Sequence, residues 1–546
     1  MTDRICLPQR ATENERALRA RTLFAQREQY QWVHAPGQPP YCRGVPPDEV
    51  FDQAKRVRMQ LTLSNSVVDL FLARLRGIGA RDDTVASFDR YYTLSKRPAV
   101  AARWASDEEV ARQRLDGVNP ILIRAISELP EGFPVTEDQL RCVLPSGSIV
   151  TALLGDGRVF LLDYEEIYGL PLVMGRFQVA PRALFWVDDS RRLMPLAIQL
   201  GQTPEEAPTV FTPADDYWLW RLACAHLQCA DGTYHEIIAH LGRTHLFAET
   251  FWVAACRTLP AQHPLYVLLR PHFTGTIQIN ELARTRLIVP GGPIDESIAV
   301  GSEGALTLLA RDYAKWSFEQ FDPLQGLVAR GVMDVERLPG YHYRDDTVLL
   351  YGIIRRYLDA LLRIFYPDDD AVRQDDELQD WVRELAADAG GRVQGLPLVN
   401  GQLARFEDLH QILSVLIFVA SCEHAAVNNG QYAQFGYIPN TPGAMYLPPP
   451  TTHDPRIEAN FVYALPPFAA VAQQLTLVAL LSESTPTPLG DYPDDFFLGV
   501  PEALAVVDRF RADLADAGVE IAARNAALSV PYWCMEPHRI GRSTAI

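Results

Sequence analysis

Five of the chain's 12 histidines, His235, His240, His245, His263 and His272, fall within residues 235–272. Imidazoles gathered this way can hold a redox metal. His240 and His245 stand at i and i+5. On a regular helix they would point roughly 140° apart, whereas a local π-type widening brings them onto one face, a distortion that clusters at functional sites. In SVLIFVASCEHAAVNNGQY, His424 and Asn428 stand at i and i+4 and share a helical face. The sequence ends in GRSTAI, and a free carboxylate on Ile546, threaded inward, would add an anionic oxygen. Imidazole nitrogen suits iron, and a carboxylate balances the charge of a trivalent ion. Three imidazoles, a weak amide oxygen and one carboxylate leave one coordination position for water.

Rival readings of these residues fit less well. HEIIAH is one residue too long for the zinc-protease HExxH helix, whose two histidines stand at i and i+4. Cys224 and Cys229 lie beside the cluster but form no CxxC pair. The 8 cysteines are too sparse for a disulfide scaffold, so they are expected as buried free thiols. A histidine met alone is ordinarily a core residue. What sets His240, His245, His424, Asn428 and Ile546 apart is their joint order and type.

The elements that must position these groups are mainly helical. Apolar spacing predicts helices over 47–78, 234–258, 304–331, 347–366, 407–428, 464–482 and 501–526. Gly-containing turns and β-branched residues predict strands within SGSIVTALLGDGRVFLLDYEEIYGL (146–170) and RALFWVDDSRRLMPLAIQLG (182–201). Composition does not break cleanly along the chain. A helical extension over 1–90 is therefore expected to cap one large, mainly α domain over 91–546 with a small β section.

With 546 residues and 48% hydrophobic content, a large core can be buried. The 68 acidic against 50 basic residues give a net charge of −18. That balance argues against nucleic acid as a partner and against wholesale attraction to anionic headgroups. The N-terminal stretch lacks the apolar core of a secretory signal, and no uninterrupted run of about 18 apolar residues predicts a transmembrane segment. The expectation is a cytoplasmic monomer with at most weak membrane association.

The histidine segment HEIIAHLGRTHLFAETFWVAACRTLPAQHPLYVLLRPHF, WASDEEVARQRLDGVNPILIRAISELP (104–130), FTPADDYWLW (211–220), HAAVNNGQ and IPNTPGAMYLPPP (438–450) together resemble the lipoxygenases. These are non-haem iron dioxygenases of polyunsaturated fatty acids, and the form resembled is the compact bacterial type, without an N-terminal β-sandwich. The resemblance implies the lipoxygenase catalytic fold, polyunsaturated fatty acid and O2 as reactants, and iron as cofactor, which manganese can replace. It implies His240, His245, His424, Asn428 and Ile546 as metal ligands, with Glu236 and Gln431 supporting them and His235, His263 and His272 structural. It further implies Leu241 and Leu287 as a clamp on the pentadiene. Ala283 takes the position that favours S hydroperoxides, and Gly232, Ser297 and Ile298 form the pocket floor. Two positions depart from the family pattern: Asn429, where phenylalanine is usual, and Leu282, where a cation often stands, with Arg284 and Arg286 nearby. A hydroperoxide isomerase (an allene-oxide-type activity) or a catalytically silent lipid-binding protein on the same scaffold are the alternatives.

Overall fold

The computed structural model of the chain describes residues 4–76, 83–482 and 487–545. Two helices run through its centre. The first spans residues 217–258: Tyr217–Tyr234 and Phe247–Thr258 are α-helical, and His235–Leu246 between them is π-helical. Asp216 starts it by accepting from the Leu219 N–H at 3.3 Å. Its sequence is apolar nearly all round, so it has to be enclosed on every side, and almost every residue from Leu219 to Tyr234 is buried. The second, Phe406–Phe435, is 30 residues long and apolar enough to cross a membrane by length and composition, yet 89% of that window is buried inside the protein. It is a core helix that crosses beside the first.

Around this pair stand His342–Phe365, Pro501–Ala527 and Phe468–Leu481. A five-stranded antiparallel sheet orders Arg124–Ala125, Val159–Asp163, Arg182–Val187, Leu193–Gln199 and Val210–Phe211 as neighbours in sequence order. Both of its faces are buried: Phe160, Phe185 and Ile198 join the main core, while Leu161, Leu184 and Trp186 build a smaller one. That explains why its strands read as continuous apolar runs instead of alternating ones.

Two expectations are corrected. Within 146–170, Val150–Gly155 is a short helix, because Val150, Leu153 and Leu154 recur at helical spacing and bury one face. The helix expected over 304–331 is two helices, Gly301–Tyr313 and Pro323–Ala329. Pro323 opens the second, where its missing N–H would be unpaired in any case, and Asp322 caps that helix through the Leu324 and Gln325 N–H groups, both at 3.0 Å. Residues before 47 are woven into the body: Leu7, Tyr30 and Cys42 belong to the main core, and Glu13–Gln29 packs on Phe247–Thr258. Helix Gln53–Arg76 lies across Phe468–Leu481. Every cysteine is a free thiol, and all except Cys142 are buried.

Candidate metal centre

The i, i+5 spacing of His240 and His245 is resolved by the π-helix: the Phe247 N–H reaches back five residues to the Gly242 carbonyl. Widened in this way, the helix aims both rings to one side. Their Nε2 atoms are 3.2 Å apart, and His424 brings its Nε2 to 3.1 Å from that of His245. The second core helix carries its own π turn, Val419–Glu423, immediately before His424. All three histidines are buried. Desolvation holds His240 well below the ordinary imidazole range, with His424 acting in the same direction, so it is a neutral ring with a lone pair to give.

These nitrogens fit a cation. Ring nitrogens facing one another at this distance repel when both offer lone pairs, and a positive ion between them converts that repulsion into ligation. Nitrogens about 2.1 Å from one ion and at right angles to each other would lie about 3.0 Å apart, close to the spacing found. Among the described residues, ligand atoms of His240, His245 and His424 all lie within 4.8 Å of one another.

Asn428 is buried one turn beyond His424, and its Oδ1 accepts from Gln431 Nε2 at 2.8 Å. Glu236 approaches from the first helix, with carboxylate oxygens 3.7 Å from His235 Nδ1 and 4.0 Å from His240 Nδ1. Burial pushes its carboxyl above the usual range. Ile546 lies outside the described residues. The chain leading to it turns inward: Ile540 and Thr544 are buried, His272 Nδ1 donates to the Arg542 carbonyl at 2.9 Å, and Thr544 Oγ1 meets Thr276 Oγ1 at 2.7 Å. Lys55 donates to the Ala545 carbonyl.

The remaining histidines of the cluster have structural partners. His235 Nε2 donates to the Val427 carbonyl at 2.7 Å, joining the two core helices beside Asn428. His263 pairs with Asp375 at 3.0 Å and caps the Leu265 N–H.

Three supporting contacts were missed in the sequence. Asn280 meets His245 Nδ1 at 3.1 Å and donates to both the His245 carbonyl and Glu249, which fixes the orientation of that ring. Glu249 in turn takes both Nη groups of Arg284, at 2.9 and 2.8 Å. Arg284, one of the two cations near Leu282, is therefore already engaged. The signal was two interlocking i, i+4 pairs, His245/Glu249 and Asn280/Arg284. The third is Asn429, whose Nδ2 donates to the Cys534 and Arg539 carbonyls at 2.9 and 3.1 Å and so ties the second core helix to the C-terminal segment.

An apolar cavity of about 50 Å³ opens beside the histidines, lined by Leu241, Ala283, Leu287 and Ile288 together with His240 and His245. Ala283 and Leu287 stand on a third π turn, Ala283–Leu287. A second, small cavity, of about 30 Å³, is lined by Gly232, Ser297 and Ile298. Glu236 and Leu477 border both, so all six residues expected around the pocket fall on two adjoining spaces. A Cβ on Gly232 would come within 3.3 Å of Thr441 Cγ2.

The chain is similar to known proteins over most of its length. The family model described as Lipoxygenase matches residues 80–532. The human protein named polyunsaturated fatty acid lipoxygenase ALOX15B is 34% identical over 548 residues, covering 97% of this chain and 80% of the relative. Rat hydroperoxide isomerase ALOXE3 is 35% identical over 455 residues, covering 82% of this chain and 63% of the relative. A solved lipoxygenase bound to arachidonate superposes with a TM-score of 0.94 at 29% identity, covering 100% of this chain and 83% of that one.

Proposed function

The chain belongs to the lipoxygenase family, and we propose that its histidine centre holds a non-haem iron ion and that the protein inserts O2 into polyunsaturated fatty acids carrying a cis,cis-1,4-pentadiene. One observation carries this reading: three buried imidazole nitrogens converge at the wall of an apolar cavity. His240, His245 and His424 would hold the ion, with the Asn428 amide oxygen and the carboxylate of Ile546 completing the set. Manganese satisfies the same donors. When bound, the iron supplies a one-electron acceptor for loss of the weakly held hydrogen between the two double bonds.

The chain's own residues do the positioning. Leu241 and Leu287 hold the pentadiene against the histidines, while the apolar lining keeps water from the reacting carbons. The Ala283 methyl covers one end of the pentadiene, so O2 reaches the other end and an S hydroperoxide is the main product. The second cavity, left open by Gly232, receives the methyl end of a long chain. A single copy supplies every one of these groups, so a monomer suffices.

The similarity to a hydroperoxide isomerase keeps one rival reading open, and a single experiment separates the two. Purified iron-loaded protein is incubated in air with linoleate or arachidonate, and then separately with a fatty acid hydroperoxide. O2 uptake with formation of a conjugated diene, mainly S on chiral chromatography, is the expected result. Hydroperoxide consumption with no O2 uptake would instead establish the isomerase. Substituting Ala283→Gly should move product towards R, and unchanged chirality would remove that residue from the account.

A further inference from the structure

We propose that Lys55 is a positioning residue for the metal centre, pinning the end of the C-terminal tail so that the terminal carboxylate meets the histidine trio. Lys55 stands in the first turn of helix Gln53–Arg76, where Asp52 Oδ1 accepts from its N–H at 2.7 Å. A cation there opposes the helix dipole, which favours anions at the N-terminus, so its place needs another cause. That cause is the partner of its ammonium, the carbonyl of Ala545. Ala545 directly precedes the last residue, and one peptide unit advances the chain by about 3.8 Å. The ammonium is therefore held within short reach of the group that would complete the ligand set.

The tail is guided before it reaches Lys55. The Leu489 N–H donates to the Ile540 carbonyl and the Arg542 N–H to the Thr487 carbonyl, both at 2.9 Å. Ser543 Oγ donates to the Thr274 carbonyl at 3.1 Å. At Gly275, whose φ is +82°, an added Cβ would stand 3.0 Å from Phe51 Cε1 and 3.3 Å from Ala545 Cβ. Phe51 and the tail thus close together over bare backbone. The Phe51 N–H donates to Gln278 Oε1, and the Lys55 ammonium lies 4.0 Å from the Phe51 ring centroid. An ammonium held between an aromatic face and a carbonyl is fixed in place as well as charged.

The segment that carries Lys55 also reaches His245. The Cys42 N–H donates to Glu249 Oε1 at 3.1 Å, and the Arg284 guanidinium lies 4.1 Å from the Tyr41 ring centroid. Glu249 accepts from Asn280, which in turn meets the His245 ring. Between these two ends, Glu49 is fastened by the Trp252 N–H. Residues 41–55 therefore form a strap that bears on two of the ligands to one ion, with Lys55 as its charged end. Its service to a metal rests on the function proposed above, whereas the pinning of the tail does not.

The test compares the full-length parent with Lys55→Met and Lys55→Arg, each iron-loaded and after chelation. Carboxypeptidase release of the terminal residues, followed by mass spectrometry, reads the tail, and competition with a chelator reads the metal. After chelation, Lys55→Met should lose its terminal residues several-fold faster than the parent. When loaded, it should hold iron about 10–100-fold more weakly. Lys55→Arg keeps a cation and should return both readings towards the parent. Arg56→Met removes the exposed cation next along the chain and should change neither. An unaltered far-ultraviolet circular dichroism spectrum checks that each variant folds. Equal release of terminal residues from parent and Lys55→Met, or a freed tail with iron retention unchanged, would overturn the proposal. Absence of iron from every protein, with the tail freed in Lys55→Met alone, would count against the metal reading and leave the pinning of the tail standing.

Discussion

The cluster of His263, Asp375 and Glu377 and the trio of His240, His245 and His424 both bring metal-ligating atoms within 4.8 Å of one another inside the protein. At the first, donors face acceptors. His263 Nε2 meets Asp375 Oδ2 at 3.0 Å, which also accepts from Tyr366 at 2.6 Å, and Arg19 Nε donates to Glu377 at 2.8 Å. Charge and hydrogen bonding close on themselves, and nearby His263 holds Asp375 below the usual carboxylate range despite burial. At the second, like faces like: three imidazoles turn the same ring nitrogen towards one another. Proximity of ligand atoms therefore does not identify a metal site; a set of acceptors turned on one another does.

Breaking each cluster should have opposite signatures. His424→Ala is expected to reduce bound iron to background and to lower fatty-acid oxygenation at least about a thousandfold, because the metal supplies several kcal/mol of stabilisation along the reaction. Metal analysis and O2 uptake check this. His263→Ala should instead cost about 3–5 kcal/mol of stability by stranding buried Asp375, read as a fall in denaturant midpoint, with the iron content of the folded fraction unchanged. Iron loss in His263→Ala, or its retention in His424→Ala, would erase the contrast.

A smaller effect tests what holds the rings in place. Asn280→Ala removes the contact at His245 Nδ1 and should weaken iron retention about 10–100-fold, measured by competition with a chelator. Smaller still is the effect at Glu49, a third kind of buried group. Trp252 Nε1 donates to it at 2.6 Å, yet desolvation pushes its carboxyl up to about 7 from 4.5. A raised carboxyl favours folding fully below its unfolded value and loses that contribution as pH rises through the folded one. Glu49→Gln should thus be more stable than the parent at pH 8, by about 1–2 kcal/mol, and the gap should close below about pH 4.5, as followed by denaturant titration at each pH.

What the sequence made legible was local spacing. The five-residue step between His240 and His245 makes sense only on a widened helix, and the π segment His235–Leu246 supplies it. The i, i+4 pair at His424 and Asn428 needed nothing beyond an ordinary turn. Asn280 escaped notice because its role depends on a contact with His245, 35 residues away in sequence. The partner of Arg284 was hidden for the same reason, since Glu249 engages it from another helix. The segment Val150–Gly155 read as a strand because its apolar residues suit either period over so short a span. The Asn429 amide, seen in sequence as a change from the family pattern, gained meaning only once the Cys534 and Arg539 carbonyls were found beside it.

The most direct test is anomalous X-ray diffraction at the iron absorption edge, on crystals of protein that oxygenates fatty acid. The expected result is a single peak among the Nε2 atoms of His240, His245 and His424. An active protein with no peak there, or with its iron elsewhere, would contradict the assignment of this trio as the catalytic centre.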